Sequence, residues 1–184
     1  MISAMFLDRD GVINVNIRAG YVTSPAILTI LPGASEAIKR LNDASIPVII
    51  ISNQQGVGKG LMSRADLDSV DSALRARITE CSGGVIDRSY YCTHLSSENC
   101  DCRKPLGGQL RRAAKEFEID LTNAVFVGDA KTDILAGKDA SVGHMALVLA
   151  GANGSYAPGV WPEDPDSVHR DLAAAVEWLL TDAA

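Results

Sequence analysis

The chain has 184 residues, 47% of them hydrophobic and 22% charged, with 17 basic against 23 acidic side chains and a formal charge of -6. That length suits one buried core rather than two, the composition excludes a disordered or fibrous chain, and the acidic balance argues against a duplex nucleic-acid partner, which needs a basic footprint. No apolar run approaches the roughly 18–20 residues of a bilayer span, and the start MISAMFLD lacks a basic segment ahead of an apolar one. The expectation is therefore a single domain over residues 1–184, cytoplasmic, monomeric by default, with neither membrane nor nucleic acid as partner.

The first apolar run, residues 4–7, reads as a strand and is followed by Asp8, Asp10 and Gly11. In an extended segment residues two apart point the same way, so both carboxylates can face one pocket. Two such groups repel, so either a cation joins them or one takes up a proton. Alone, the motif is weak, and a strand-end turn with solvated acids is the usual reading of such a pair. A helix follows, with Ala34, Ala37, Ile38 and Leu41 on one face. The next strand, 46–51, runs into Ser52, Asn53 and glycines 56, 58 and 60, a loop able to offer hydroxyl and backbone N–H donors to an anion. Its spacing is not that of a Walker A loop, so nucleotide binding does not follow.

Leu67, Val70, Leu74 and Ile78 mark a second helix, preceded by Ser63 with Asp66 three residues on in the manner of a capping box. Cys81 in the same stretch reads as an unpaired thiol. A strand over 86–91 leads into Cys92, His94, Cys100 and Cys102. Three thiolates and an imidazole are a closed tetrahedral set, which suits a structural Zn2+ rather than a catalytic one. Because Cys102 adjoins Arg103 and Lys104, the metal would fix the loop that presents both cations.

A third helix carries Leu110, Ala113, Ala114 and Phe117 on one face. The strand over 124–127 is followed by Asp129 and Asp133, which alone read as an acidic helix N-terminus favoured by the dipole. A strand over 145–149, a surface loop over 151–165 and a helix near 171–180 with Leu172, Ala175, Val176 and Leu179 complete the chain. His144, Trp161, His169 and Trp178 carry no derivable role. Short apolar strands alternating with helices predict a doubly wound α/β fold with a parallel sheet covered on both faces. In such folds ligands sit outside the carboxyl ends of the strands, which puts Asp8, Ser52 and Asp129 at one rim.

DRDGV, SNQQG, CRKP and GDAKTD, in this order, resemble the four motifs of the haloacid dehalogenase superfamily, most closely those of its small phosphatases. The resemblance runs from Asp8 to the helix after Asp133. It implies a Rossmann-like sheet and phosphoryl transfer through an aspartyl-phosphate, with Asp8 as nucleophile and Asp10 as general acid, then base. Mg2+ would be bound by Asp8, the backbone carbonyl of Asp10, and Asp129, while Ser52 and Lys104 would hold the transferring oxygens. The chemistry agrees, since a carboxylate approaches an anionic phosphate only where a metal and a lysine cancel charge. Asp10 must carry a proton when the ester oxygen leaves, and crowding with Asp8 is expected to favour this.

The motif spacing leaves no room for a large cap domain, so loops must shape the pocket. Asn16, Arg18, Tyr21, Asn53, Gln54, Gln55 and Arg103 are the candidate substrate contacts, with Arg103 ahead of Arg18 for a distal phosphate. Two branches resembling this chain pair the motifs with such a zinc loop, one acting on a heptose 1,7-bisphosphate and the other on histidinol phosphate. DRDGVIN, Gly20–Tyr21–Val22, the LPGA at 31–34, SNQQGVGKG and the short chain favour the first. That branch removes the 7-phosphate and leaves heptose 1-phosphate for nucleotide activation and surface glycan synthesis. In some of its members a lysine directly follows the motif-four aspartate, whereas here Ala130 precedes Lys131. The rivals from other classes are a phospho-accepting signalling domain and a zinc-stabilised binding module without turnover.

Overall fold

The computed structural model describes residues 2–151 and 156–181. Six strands form one parallel sheet: β1 (Met5–Leu7), β2 (Val48–Asn53), β3 (Arg88–Cys92), β4 (Val125–Gly128), β5 (His144–Val148) and β6 (Ser167–His169), in the order β3-β2-β1-β4-β5-β6. Each of the five apolar runs is a strand, with bounds shifted by one or two residues. β6 is a correction, because it lies just past the stretch read as a loop. Its Ser-Val-His has no apolar alternation to announce it, and it is held by pairing with β5 along Ala146–Val148. Residues 152–155 of that expected loop lie outside the described residues.

The helices are α1 (Ala34–Asp43), α2 (Arg64–Ser82), α3 (Gly108–Phe117), α4 (Lys131–Asp139) and α5 (Leu172–Thr181). Alternation along the strands decides which helices each face receives. Met5, Leu7, Val48, Ile50, Val125 and Val127 pack with α1, α2 and α5, whereas Phe6, Ile49, Ile51 and Phe126 pack with α3 and α4. The helical stripes read from the sequence are the buried ones, except that Phe117, at the end of α3, is 37% exposed. The Ser63–Asp66 capping box is present, with Ser63 Oγ accepting from the Asp66 N–H at 3.1 Å and Asp66 Oδ2 from the Ser63 N–H at 2.8 Å.

The chain winds from β1 outward through β2 to β3, then returns to the other side of β1 with β4. The strand order reverses between β1 and β4, so their carboxyl ends flank the crevice where such sheets hold ligands. No helix among the described residues is long and apolar enough to cross a membrane.

Candidate active site

β1 and β4 are in register as Leu7 with Val127, and the Asp8 N–H donates to the Val127 carbonyl at 2.9 Å, so Asp8 and Asp129 emerge side by side at the reversal point. With Asp10, Asn16, Tyr21, Ser52, Asn53 and Lys104 they line one cavity of about 190 Å³. The expected rim therefore forms. Gly11 makes the close approach possible: its φ is +86°, and a Cβ there would lie 2.2 Å from Asp129 Oδ2. Asp8, Asp129 and Asp133 each offer a carboxylate oxygen within 4.8 Å of the others. Such a set of hard oxygen donors suits Mg2+, although Asp10 is outside this side-chain group.

Asp133 has a place that the sequence left undetermined. Its Oδ2 accepts from the N–H groups of Asp129 and Ala130 at 3.1 and 3.0 Å, capping α4, while Oδ1 meets Lys104 Nζ at 2.6 Å. Gly128 admits this fold-back, since a Cβ there would fall 2.2 Å from that of Asp133. Lys104 Nζ also reaches Asp8 Oδ2 at 3.0 Å and the Ile51 carbonyl at 3.0 Å. Burial pulls the Lys104 ammonium pKa down, but Asp133 and Asp8 outweigh it and hold it well above the ordinary lysine value. The opposite holds for Asp8: burial pushes its carboxyl up to about 6, Lys104 works against the rise, and Asp133 and Asp10 add to it.

Asp10 is enclosed by donors. Arg9 Nη2 donates to its Oδ2 at 2.9 Å and Oδ1 at 3.1 Å, Asn14 Nδ2 to Oδ1 at 2.8 Å, and Gln54 Nε2 to Oδ2 at 2.7 Å. Sequence reasoning passed over Arg9 and Asn14. The available signal was an arginine locked between two acids directly after a buried strand.

The other candidates fall into four groups. Asn16, Tyr21, Ser52 and Asn53 line the cavity, and Asn53 also clamps the Lys104 backbone, accepting from its N–H at 3.1 Å and donating to its carbonyl at 3.0 Å. Gln54 is fully buried behind Asp10, so it supports the wall rather than facing a ligand. Gln55 accepts from Arg103 Nη2 at 3.3 Å, and Arg103 lines a neighbouring cavity of about 300 Å³ on the cysteine loop that shares Lys104 with the first. Arg18 and Lys131 are exposed and outside the Asp8 cavity.

The cysteine loop comes together as a tetrad. Cys92 Sγ lies 3.7 Å from both Cys100 Sγ and His94 Nδ1, and His94 Nδ1 is 3.2 Å from Cys102 Sγ. All four ligand atoms fall within 4.8 Å, and none of the cysteines forms a disulfide. A tetrahedral Zn2+ with bonds of about 2.3 Å to sulfur puts its ligands roughly 3.7 Å apart. These four residues therefore suit the ion.

The haloacid dehalogenase-like hydrolase family model matches residues 3–141. The D-glycero-β-D-manno-heptose-1,7-bisphosphate 7-phosphatase of Bordetella bronchiseptica is 35% identical over 179 residues, covering 97% of this chain and 98% of that one. The enzyme of the same name from Pseudomonas putida is 34% identical over 176 residues, with 96% and 98% covered. The crystal structure of the B. bronchiseptica D,D-heptose 1,7-bisphosphate phosphatase complexed with magnesium and phosphate superposes with a TM-score of 0.89 at 36% identity, covering 98% of this chain and 99% of that one.

Proposed function

The chain belongs to the haloacid dehalogenase-like hydrolase family, and on that premise we propose that it removes the 7-phosphate of D-glycero-D-manno-heptose 1,7-bisphosphate in a magnesium-dependent reaction. It is a phosphoric monoester hydrolase, as its relatives at about a third identity over nearly the whole length are. The observation that carries the reading is the convergence of Asp8, Asp129 and Lys104 on one small cavity at the sheet's reversal point.

In the proposed reaction a carboxylate oxygen of Asp8 attacks phosphorus, the ester P–O bond breaks, and the departing sugar oxygen takes a proton from Asp10. Water then attacks the aspartyl-phosphate, gives a proton to Asp10, and releases inorganic phosphate. Lys104 and Ser52 hold the non-bridging oxygens. The Lys104 ammonium stays charged there because two buried carboxylates flank it. Asp8, Asp129 and the Asp10 carbonyl would hold Mg2+, which when bound neutralises phosphate charge. Asn16 and Tyr21 face the sugar, and Arg103, beside Gln55, receives the distal phosphate. Cys92, His94, Cys100 and Cys102 would hold Zn2+, which would fix that loop in place. The product, heptose 1-phosphate, feeds nucleotide activation for surface glycans, and the enzyme works in the cytoplasm as a monomer.

Turnover of heptose 1,7-bisphosphate and of histidinol phosphate, measured side by side with Mg2+, tests the assignment. The bisphosphate should give the higher kcat/KM, whereas equal or better efficiency on histidinol phosphate overturns the choice. Asp8→Asn should abolish phosphate release, and retained turnover would remove the nucleophile assignment.

A further inference from the structure

We propose that Arg9 is a positioning residue that, with Asn14 and Gln54, fixes the carboxylate plane of Asp10; this rests on Asp10 being the acid and base of the reaction. Arg9 is completely buried, and its guanidinium carbon lies 5.6 Å from the centre of the Tyr91 ring. Tyr91 is itself fixed from below, its hydroxyl donating to Asp71 at 2.5 Å, while Arg75 Nε and Ser89 Oγ donate to the same carboxylate at 2.8 Å each. The cation that grips Asp10 is thus mounted on β3 and α2, two strands away from the residue it serves.

A carboxylate presents about four lone-pair positions. Arg9 Nε and Nη2 reach Oδ1 at 3.3 and 3.1 Å beside Asn14, whereas among the described residues Oδ2 takes only Arg9 Nη2 and Gln54, so the proton that Asp10 carries as an acid goes on Oδ2 in exchange for one of those two contacts. Both side-chain torsions of Asp10 are thereby set. The residue sits where β1 has already ended and Gly11 turns the chain at φ +86°, so an isolated bridge to Asn14 rather than the sheet holds its backbone.

The arrangement is costly for the residues that make it. Arg9 Nη1, Asn14 Oδ1 and Gln54 Oε1 are buried with no hydrogen-bond partner among the described residues. Burying a guanidinium repays its desolvation only where geometry is good, and unsatisfied buried groups are uncommon enough to call for an explanation. A cage serving stability would satisfy its own members first. Here Asn14 also donates to the Val15 carbonyl at 3.0 Å and Gln54 to Ser52 Oγ at 3.2 Å, but the contact all three share is one carboxylate that is 20% exposed and faces the cavity. Proton transfer needs the acid within hydrogen-bond reach of the leaving oxygen, so fixing that orientation is what the cage contributes.

The leaving group provides the test. A sugar alkoxide needs a proton as it departs, whereas p-nitrophenolate leaves as a stable anion and needs little help. First-turnover rates on heptose 1,7-bisphosphate and on p-nitrophenyl phosphate would be measured with Mg2+ for the wild type, Asp10→Asn, Arg9→Lys and Gln54→Met. Lysine keeps the charge of Arg9 but not its two-pronged grip. In both cage variants the sugar rate should fall about tenfold or more beyond the aryl rate, in the same sense as in Asp10→Asn. Equal losses on the two substrates, or none, overturn the positioning role and leave Arg9 a packing residue. Should Asp10→Asn itself show no difference between substrates, the acid assignment falls and the positioning role with it. If Arg9→Lys does not fold, Gln54→Met alone decides, since it weakens the cage from the opposite side.

Discussion

Lys104 is the residue on which the site's electrostatics turn. It is 3% exposed and shared between Asp8 and Asp133, and removing Asp133 leaves Lys104 to Asp8 alone and takes the acceptor from the Asp129 and Ala130 N–H groups. Asp133→Ala should therefore lower unfolding stability by about 3–5 kcal/mol, read from urea denaturation. A loss under about 1 kcal/mol would place Lys104 in contact with water. Asp8 gives a second prediction. Its carboxyl is raised to about 6, and a cation needs it ionised, so below that pH binding Mg2+ must expel a proton. Mg2+ affinity should fall about tenfold per pH unit below about 6 and level off above, with one proton released on the acid side by calorimetry in two buffers. In the metal-free protein the sign is opposite. Asp8 ionises at 3.8 when unfolded and near 6 when folded, so its contribution to stability declines as pH rises through that window. Asp8, Asp10, Ser52 and Asp129 were legible because each follows closely on an apolar run, and Lys104 because CRKP starts on the last cysteine of the loop. Arg9 and Asn14 were not, because their partners are set by how a turn folds back, which spacing does not encode.

At the level of elements, the strands after which the site residues sit were visible as apolar runs, and β6 was not because its pairing with β5 supplies what its composition lacks. The zinc loop shows the opposite balance. Its ligands were fully legible in spacing, yet its consequence depends on Asn53, which locks the Lys104 backbone to β2 with two hydrogen bonds. Lys104 is thus held from both sides, by the loop before it and the strand beside it. Stripping zinc with a chelator, or Cys100→Ser, should reduce kcat/KM about 10- to 100-fold, the usual effect of losing the groups that orient a site. Re-addition of Zn2+ to the stripped protein should restore it. Unchanged activity in zinc-free protein would mean that Asn53 and the buried ion pairs suffice.

Across the whole molecule the two faces of one sheet are covered by separate apolar clusters, α1, α2 and α5 on one and α3 and α4 on the other. The strands belong to both clusters, residue by residue, so neither face can open without exposing the other. Ile50→Ala and Phe126→Ala, on opposite faces, should each cost about 2–5 kcal/mol and shift one shared calorimetric transition. Two separable transitions would argue against a single cooperative domain. By itself the sequence determined the doubly wound class, the rim that carries the acids and the grouping of three cysteines with a histidine, because periodicity and residue spacing are local properties of a chain. Only the tertiary structure decided that Asp133 answers Lys104, that Gln54 and Arg9 enclose Asp10, and that Arg103 opens on a neighbouring cavity. Those contacts join residues that the reversal between β1 and β4 and the return of the cysteine loop bring together, and burial then sets the charges they carry.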